Sequence, residues 1–311
     1  MRLSISAIFR GEAMDGVLLL HKPAGVTSHD CVMRIRKLFQ TKKVGHTGTL
    51  DPDVSGVLPI CIGKATKIVE LLTAERKTYE GEATLGIATT TEDASGDVVY
   101  MKPIERPIFR RDIERVFAQL TGEIEQVPPM YSAVKVNGKK LYEYARAGME
   151  VERPKRMVYI HELQLLDERT VFTGERISFR FRVTCSKGTY VRTLAVQMGE
   201  KLGYPAHMSH LVRTASGAFT LEQCVTFEQI ERHMEEGNVH ALLWPIERAL
   251  AHMPTYVVNT EEEKKVKNGA LLLAPSSMPE RMLMLNACGE ALAIYMPHPT
   301  KRSYMKPLKV L

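Results

Sequence analysis

The sequence predicts an α+β fold, with a large domain of intermixed strands and helices and a small β-rich domain after it. Two segments, 78–87 and 177–185, alternate apolar and polar residues with period two, as half-buried strands do. Between and around them lie helical spacings in no regular βαβ order, which argues against a parallel doubly wound sheet. Beyond Trp244-Pro245 the pattern changes to short apolar runs (LLLA, RMLML, ALAIYM) split by Asn, Gly, Ser and Pro, the signature of a small β-barrel or sandwich. The expected layout is a leader over 1–13, a main domain over 14–245 and a small domain over 246–311.

Taken in order, GVLLLH (16–21) is a short buried strand and KPAGVTS a turn. Ser28 is placed to cap a helix whose Val32, Ile35 and Phe39 share one face. VLPICI (57–62) reads as a strand, and Ala65, Ile68, Val69 and Leu72 fall at helical spacing. In 78–87, Tyr79, Gly81, Ala83, Leu85 and Ile87 share a face opposite Glu80, Glu82 and Thr84. Ile113, Val116, Phe117 and Leu120 mark another amphipathic helix. Ile177, Phe179, Phe181, Val183 and Cys185 line the second long strand, and 191–203 closes as a helix with Gly203 past its end. Residues 127–156 stand apart: they carry seven Lys/Arg against three Glu, with Tyr131, Tyr142 and Tyr144 interleaved around an Asn137-Gly138 turn. That mixture predicts a mobile basic arm inserted in the main domain.

Bulk composition narrows the class. Lys+Arg 42 against Asp+Glu 36 gives a net charge of +6, which suits a polyanionic partner without requiring one. The five cysteines are scattered, with no zinc spacing, and read as free thiols in a reducing compartment. No apolar run approaches the roughly 18 residues needed to span a bilayer. The opening MRLSISAIFRGEA is interrupted by Arg10 and makes a poor signal peptide, and Met14 is an equally good start. The expectation is a cytoplasmic protein, and a monomer, since nothing suggests a coiled coil.

The stretch GHTGTLDPDVSGVLPICIG (45–63) holds the chemistry-bearing residues. A DxD pair can bind Mg²⁺, but such sites want further carboxylates nearby, and none falls within ten residues on either side. Asp51 could simply brace the loop through its side-chain oxygens. Alternatively, Gly45, Gly48 and Gly56 let backbone approach a ligand, and Pro52 biases Asp51 toward an extended conformation. A carboxylate presented on so stiff a loop can act as nucleophile or general base. Spacing alone leaves both readings open.

The strings LLLHKPAGVTSHD, KKVGHTGTLDPDVSGVLPICIGKATK, KTYEGEATLG, VPPMYSAVKVNGKKLYEYAR and CSKGTYVRTLAVQMGEKLG resemble, in order and spacing, the tRNA pseudouridine synthase B family. The resemblance implies a pseudouridine synthase fold, with a mixed, largely antiparallel sheet flanked by helices, and a PUA-like RNA-binding domain at the C-terminus. It implies isomerisation of uridine-55 in the T-loop of tRNA, with no cofactor and no metal. Asp51 matches the family's essential aspartate, while Asp53 is given no role. His46 matches a histidine that holds the T-loop open, and Tyr79 an aromatic that stacks on the extruded base. Tyr190 and Arg192 match a tyrosine near the base and an arginine paired with the aspartate, and Leu211 an apolar pocket contact. His210-Leu211-Val212-Arg213 departs from the usual leucine followed by two arginines. If the helix begins before Arg192, Tyr190 and Arg192 diverge, and the pairing with Asp51 is less secure. Lys22-Pro23 is expected to brace the loop. Lys64, Lys67, Lys135, Lys139, Lys140 and Arg146 are the expected RNA contacts. Losing 246–311 is expected to weaken RNA binding more than chemistry. The competing reading is a non-catalytic tRNA-binding or RNA-folding protein.

Overall fold

The computed structural model describes residues 14–311, so the expected leader lies outside the described residues. The main domain is built on a ten-stranded sheet. Its strands are β1 (Gly16–Lys22), β2 (Val44–His46), β3 (Ser55–Ile62), β4 (Lys77–Leu85), β5 (Gly122–Gln126), β6 (Arg156–Leu165), β7 (Ile177–Cys185), β8 (Ala206–Ser216), β9 (Phe219–Thr220) and β10 (Leu243–Trp244). They run in the order β10-β1-β3-β8-β4-β7-β6-β5, with β2 beside β3 and β9 beside β8. Every pairing is antiparallel except β3 with β8, where Ser55 meets Val212 and Gly56 meets Arg213 in parallel.

Both faces of β1 and β3 are covered, which is why GVLLLH and VLPICI read as continuous apolar runs. On one face Leu18, Leu20, Leu58 and Ile60 pack against helices α1 (Ser28–Leu38) and, near the end of the domain, Phe227–Glu235. On the other, Val17, Leu19, Val57 and Cys61 meet Ile68, Leu72 and the start of the C-terminal segment. Strands β4 and β7 keep the alternation expected of them. Phe179, Phe181 and Val183 enter a core with Ile113, Val116, Phe117, Leu194 and Met198, while Arg182 reaches Glu80 at 2.6 Å on the open face.

Three local expectations change. Thr27, not Ser28, caps α1, in a capping box with Asp30, and Ser28 becomes the first helical residue. The 64–72 helix is a 3₁₀ turn over Gly63–Ile68 followed by α-helix Val69–Ala74. The strand expected to run to Ile87 ends at Leu85, and Gly86 (φ 101) turns the chain into a separate hairpin. The Asn137-Gly138 turn forms with both φ values positive (49° and 82°), as a tight hairpin requires.

The C-terminal segment forms a five-stranded sheet, with a helix at Thr260–Lys267 that the sequence reading did not anticipate. Its Leu283 and Ile294, with Ile246, Ala249 and Leu250, share one apolar cluster with Val17, Leu19, Val57 and Cys61 of the main sheet. The two units therefore meet across a common core.

Gly56 makes the parallel pairing possible. At φ +119, a Cβ there would lie 2.2 Å from Arg213 O, a contact no side chain tolerates. Gly56→Ala is expected to destabilise the fold by at least about 2 kcal/mol, read as a lowered Tm in thermal unfolding.

Candidate active site

The acids of DPD sit in a turn that three distant segments hold in place. Val54 N donates to Asp51 O at 3.1 Å, closing a turn whose second residue, Pro52, has its φ preset. Lys22, fully buried at the end of β1, donates from Nζ to Pro52 O (2.9 Å), Val54 O (2.7 Å) and Pro23 O (2.8 Å). Its three N–H groups are satisfied by carbonyls of this region, so the expected bracing role of Lys22 is what the structure has. Ser28 Oγ accepts from Leu50 N at 2.8 Å. From β8, Arg213, 1% exposed, donates to Val57 O (2.7 Å) and Gly48 O (3.2 Å) on either side of the turn. Its position answers the departure noted in the sequence: Arg213 is a buried loop clamp.

Asp51 meets Arg192 at the start of the helix Val191–Leu202. Arg192 Nη2 donates to Oδ1 at 3.2 Å, and Nε lies at ion-pair distance, 2.9 Å, from Oδ2 without making a hydrogen bond; the arginine side chain is only 4% exposed. The helix does begin before Arg192, with Tyr190 as its N-cap, yet the pair forms. Tyr190 still lines the same cavity, because the extended N-cap and the first turn both face the loop. Gln126, fully buried, pins this helix start by accepting from Tyr190 N (3.0 Å) and donating to Tyr190 O (3.2 Å). Arg192 is held further by Thr91 O (2.9 Å) and Tyr131 O (3.0 Å), and its Nε lies 3.8 Å from Asp93 Oδ2. Asp93 is in turn fixed by Thr91 Oγ1 and Ser95 Oγ, each at 2.6 Å. Residues 91–95 carried no periodicity or motif to mark them, and Arg213 and Gln126 were likewise invisible as site residues.

Two cavities adjoin Asp51, and Asp51, Val54, Arg192 and Leu211 line both. The smaller, about 260 Å³, adds Tyr79, Tyr190, Lys77 and Arg213. The larger, about 560 Å³, adds Tyr131, Tyr142 and Arg146 from the basic segment, and the exposed Asp53. Burial pushes the pKa of the Tyr79 hydroxyl up, opposed by the nearby positive charge of Arg213. Burial likewise raises the Asp51 carboxyl above the usual carboxylate value, opposed by Arg192 and reinforced by Asp93. The Asp51 side chain nonetheless keeps 39% of its surface, at the mouth of the site. Among the described residues no cluster of three or more His, Cys, Asp or Glu is placed to hold a metal ion.

His46 is not part of either cavity wall. It sits on β2, where Nδ1 accepts from Gly48 N (3.3 Å) and burial lowers its pKa, leaving a neutral ring. Lys64, Lys67, Lys135 and Lys139 are exposed away from both cavities, and Lys140 stacks over Tyr142 at 5.4 Å. Of the expected RNA contacts, Arg146 is the one that lines either of these two cavities, with its guanidinium 5.3 Å over Tyr142.

The sequence profile described as "TruB family pseudouridylate synthase (N terminal domain)" matches residues 36–191, and that of the "tRNA pseudouridylate synthase B C-terminal domain" matches 192–251. The chain belongs to the TruB family of pseudouridylate synthases. It is similar to "tRNA pseudouridine synthase B" of Geobacillus thermodenitrificans, 64% identical over 96% of this chain and 99% of the relative. The Bacillus subtilis protein of the same name is 61% identical over 96% and 98% of the two chains. A solved Cbf5-Nop10-Gar1 complex is 27% identical, with a TM-score of 0.72, over 99% of this chain and 86% of that one. An H/ACA RNP bound to a substrate RNA containing 2'-deoxyuridine is 25% identical, with a TM-score of 0.71, over 99% and 87%. As a TruB family member the chain is an enzyme, a pseudouridine synthase, and the non-catalytic alternative falls away. The α+β architecture with its mixed sheet is the family's fold.

Proposed function

We propose that this protein converts uridine-55 in the T-loop of tRNA to pseudouridine, with Asp51 as the catalytic carboxylate. The observation that carries the reading is the Asp51–Arg192 pair at the wall of a cavity also lined by Tyr79, Tyr190 and Leu211. The names of the curated relatives and the RNA-bound solved structure support the substrate class.

The smaller cavity receives the target base, which must first leave its stack at a cost of about a few kcal/mol. Stacking on Tyr79 returns about 1–3 kcal/mol of that. Asp51 then attacks the ribose or takes a proton from it, and either route needs the carboxylate ionised. Arg192 favours the charged form and orients it through the hydrogen bond to Oδ1. The exposed lysines and the basic segment contact phosphates, the segment ordering on the RNA, and the C-terminal sheet adds binding surface. His46 acts on the RNA outside the base cavity. The site of action is the cytoplasm and the working form a monomer.

The test is tritium release from tRNA labelled at C5 of uridine, with and without EDTA. Release in both conditions is expected, and none in either would refute the reading. The pH profile is a second check. With its pKa above the ordinary value of about 3.9, Asp51 protonates earlier than a free aspartate as pH falls. Single-turnover rate is therefore expected to drop on the acid side at a pH above that value, and the acid limb should move when Asp93 is neutralised by Asp93→Asn.

A further inference from the structure

Lys77 and Arg213 stand side by side in the wall of the smaller cavity, next to Tyr79. They keep only 6% and 1% of their surface. Both spend their donors on main-chain carbonyls. Lys77 Nζ donates to Thr73 O and Glu75 O, each at 2.6 Å, and Arg213 to Val57 O and Gly48 O. The two side chains converge at Gly48, where a Cβ would lie 3.5 Å from Arg213 Nη1 and 3.9 Å from Lys77 Cε. Among the described residues neither cation has a carboxylate at ion-pair distance, and the Glu75 carboxylate is turned to His252 Nε2 at 3.3 Å. Two buried cations lose hydration and repel each other, an arrangement that favours the arrival of negative charge.

Building on the reaction read above, we propose that Lys77 and Arg213 form a cationic wall that stabilises negative charge on a carbonyl oxygen of the detached uracil. When the C1′–N1 bond breaks, its electron pair goes to the ring and spreads over N1, O2 and O4. The ring returns a pair when C5 bonds to C1′, after which C5 loses its proton and N1 gains one. Lys77 has three N–H donors and has used two, so one is free for the cavity. Fixed cations aimed at charge that exists only during the reaction lower its barrier.

The groups that face Lys77 are Arg213 on β8, Cys185 on β7, Lys187 in the turn after it, Tyr79 on its own strand and Glu75 just before it. Burial first, and Arg213 next, bring the ammonium down to about 8. The wall thus loses half its charge as pH rises past that point.

The test measures single-turnover tritium release by the full chain at saturating enzyme, with Lys77→Met and Lys77→Arg. Lys77→Met is expected to slow release on the order of 100-fold while the Kd for tRNA stays within about twofold. Lys77→Arg is expected to keep most of the rate and to lose the wild type's decline above pH about 8, because a guanidinium stays charged. A Lys77→Met protein with wild-type rate overturns the proposal. So does weakened tRNA binding at unchanged rate, which would make Lys77 a phosphate contact. If Lys77→Met does not fold, identical high-pH profiles for wild type and Lys77→Arg overturn it instead. Failure of the wild type to release tritium would strike the reading of the reaction itself, whereas normal wild-type release with an indifferent Lys77 strikes the wall alone.

Discussion

Asp51→Asn is expected to lower turnover by on the order of 10³-fold or more, while tRNA affinity changes by no more than about tenfold, or about 1.4 kcal/mol. Asparagine keeps the size of the side chain and one oxygen for Arg192, so the loop keeps its shape. What it removes is the charge that attacks the sugar or accepts its proton. The arginine is not stranded by the change, because Thr91 O, Tyr131 O and Asp93 remain around it. The fold should therefore survive, and a thermal melt near that of the wild type is the control. A variant that still forms pseudouridine at more than about a hundredth of the wild-type rate would mean that Asp51 positions the substrate and another group does the chemistry.

Removing residues 246–311 is expected to unfold much of the main domain instead of merely weakening RNA binding. Val17, Leu19, Val57 and Cys61 are at most 1% exposed, and they share their cluster with Ile246, Leu250, Leu283 and Ile294 from the segment being removed. Fully exposing each large aliphatic side chain costs about 1.5–3 kcal/mol. Partial exposure of several such groups comes to about 5 kcal/mol, a large share of the roughly 5–15 kcal/mol that holds a domain together. The truncated chain should melt about 10–20 °C below the full one, or fail to stay in solution. Melting within a few degrees would make the C-terminal sheet an independent appendage and restore the simpler expectation that it only binds RNA.

What could be read from the sequence was what local pattern encodes. The alternation in β4 and β7, the Asn137-Gly138 turn and Gly203 as the αL cap (φ 85) each depend on neighbours in the chain. The Asp51–Arg192 pairing spans 141 residues, and only the family resemblance brought those two positions together. What supports the pair was out of reach for the same reason. Asp93 and Thr91 sit in a loop with no period, and Glu92 beside them adopts φ 63, which nothing in TTEDASG announces. Arg213 entered the sequence reading only as part of a departure at 210–213, and nothing in its neighbours marks it as buried. Its burial arises because Gly56 brings β3 against β8, a fact about two strands and not about either alone. The boundary at 246 was drawn where composition changes, but side chains on both sides of it fill one core.

Lys22 and Arg213 grip the acid's loop from the two strands that flank β3, one on each side. The loop is thus riveted to the sheet, and its carboxylate can shift only if neighbouring strands slide past one another. An enzyme made this way brings a nearly immobile acid to the reaction, and the bending, splaying and turning must be done by the RNA.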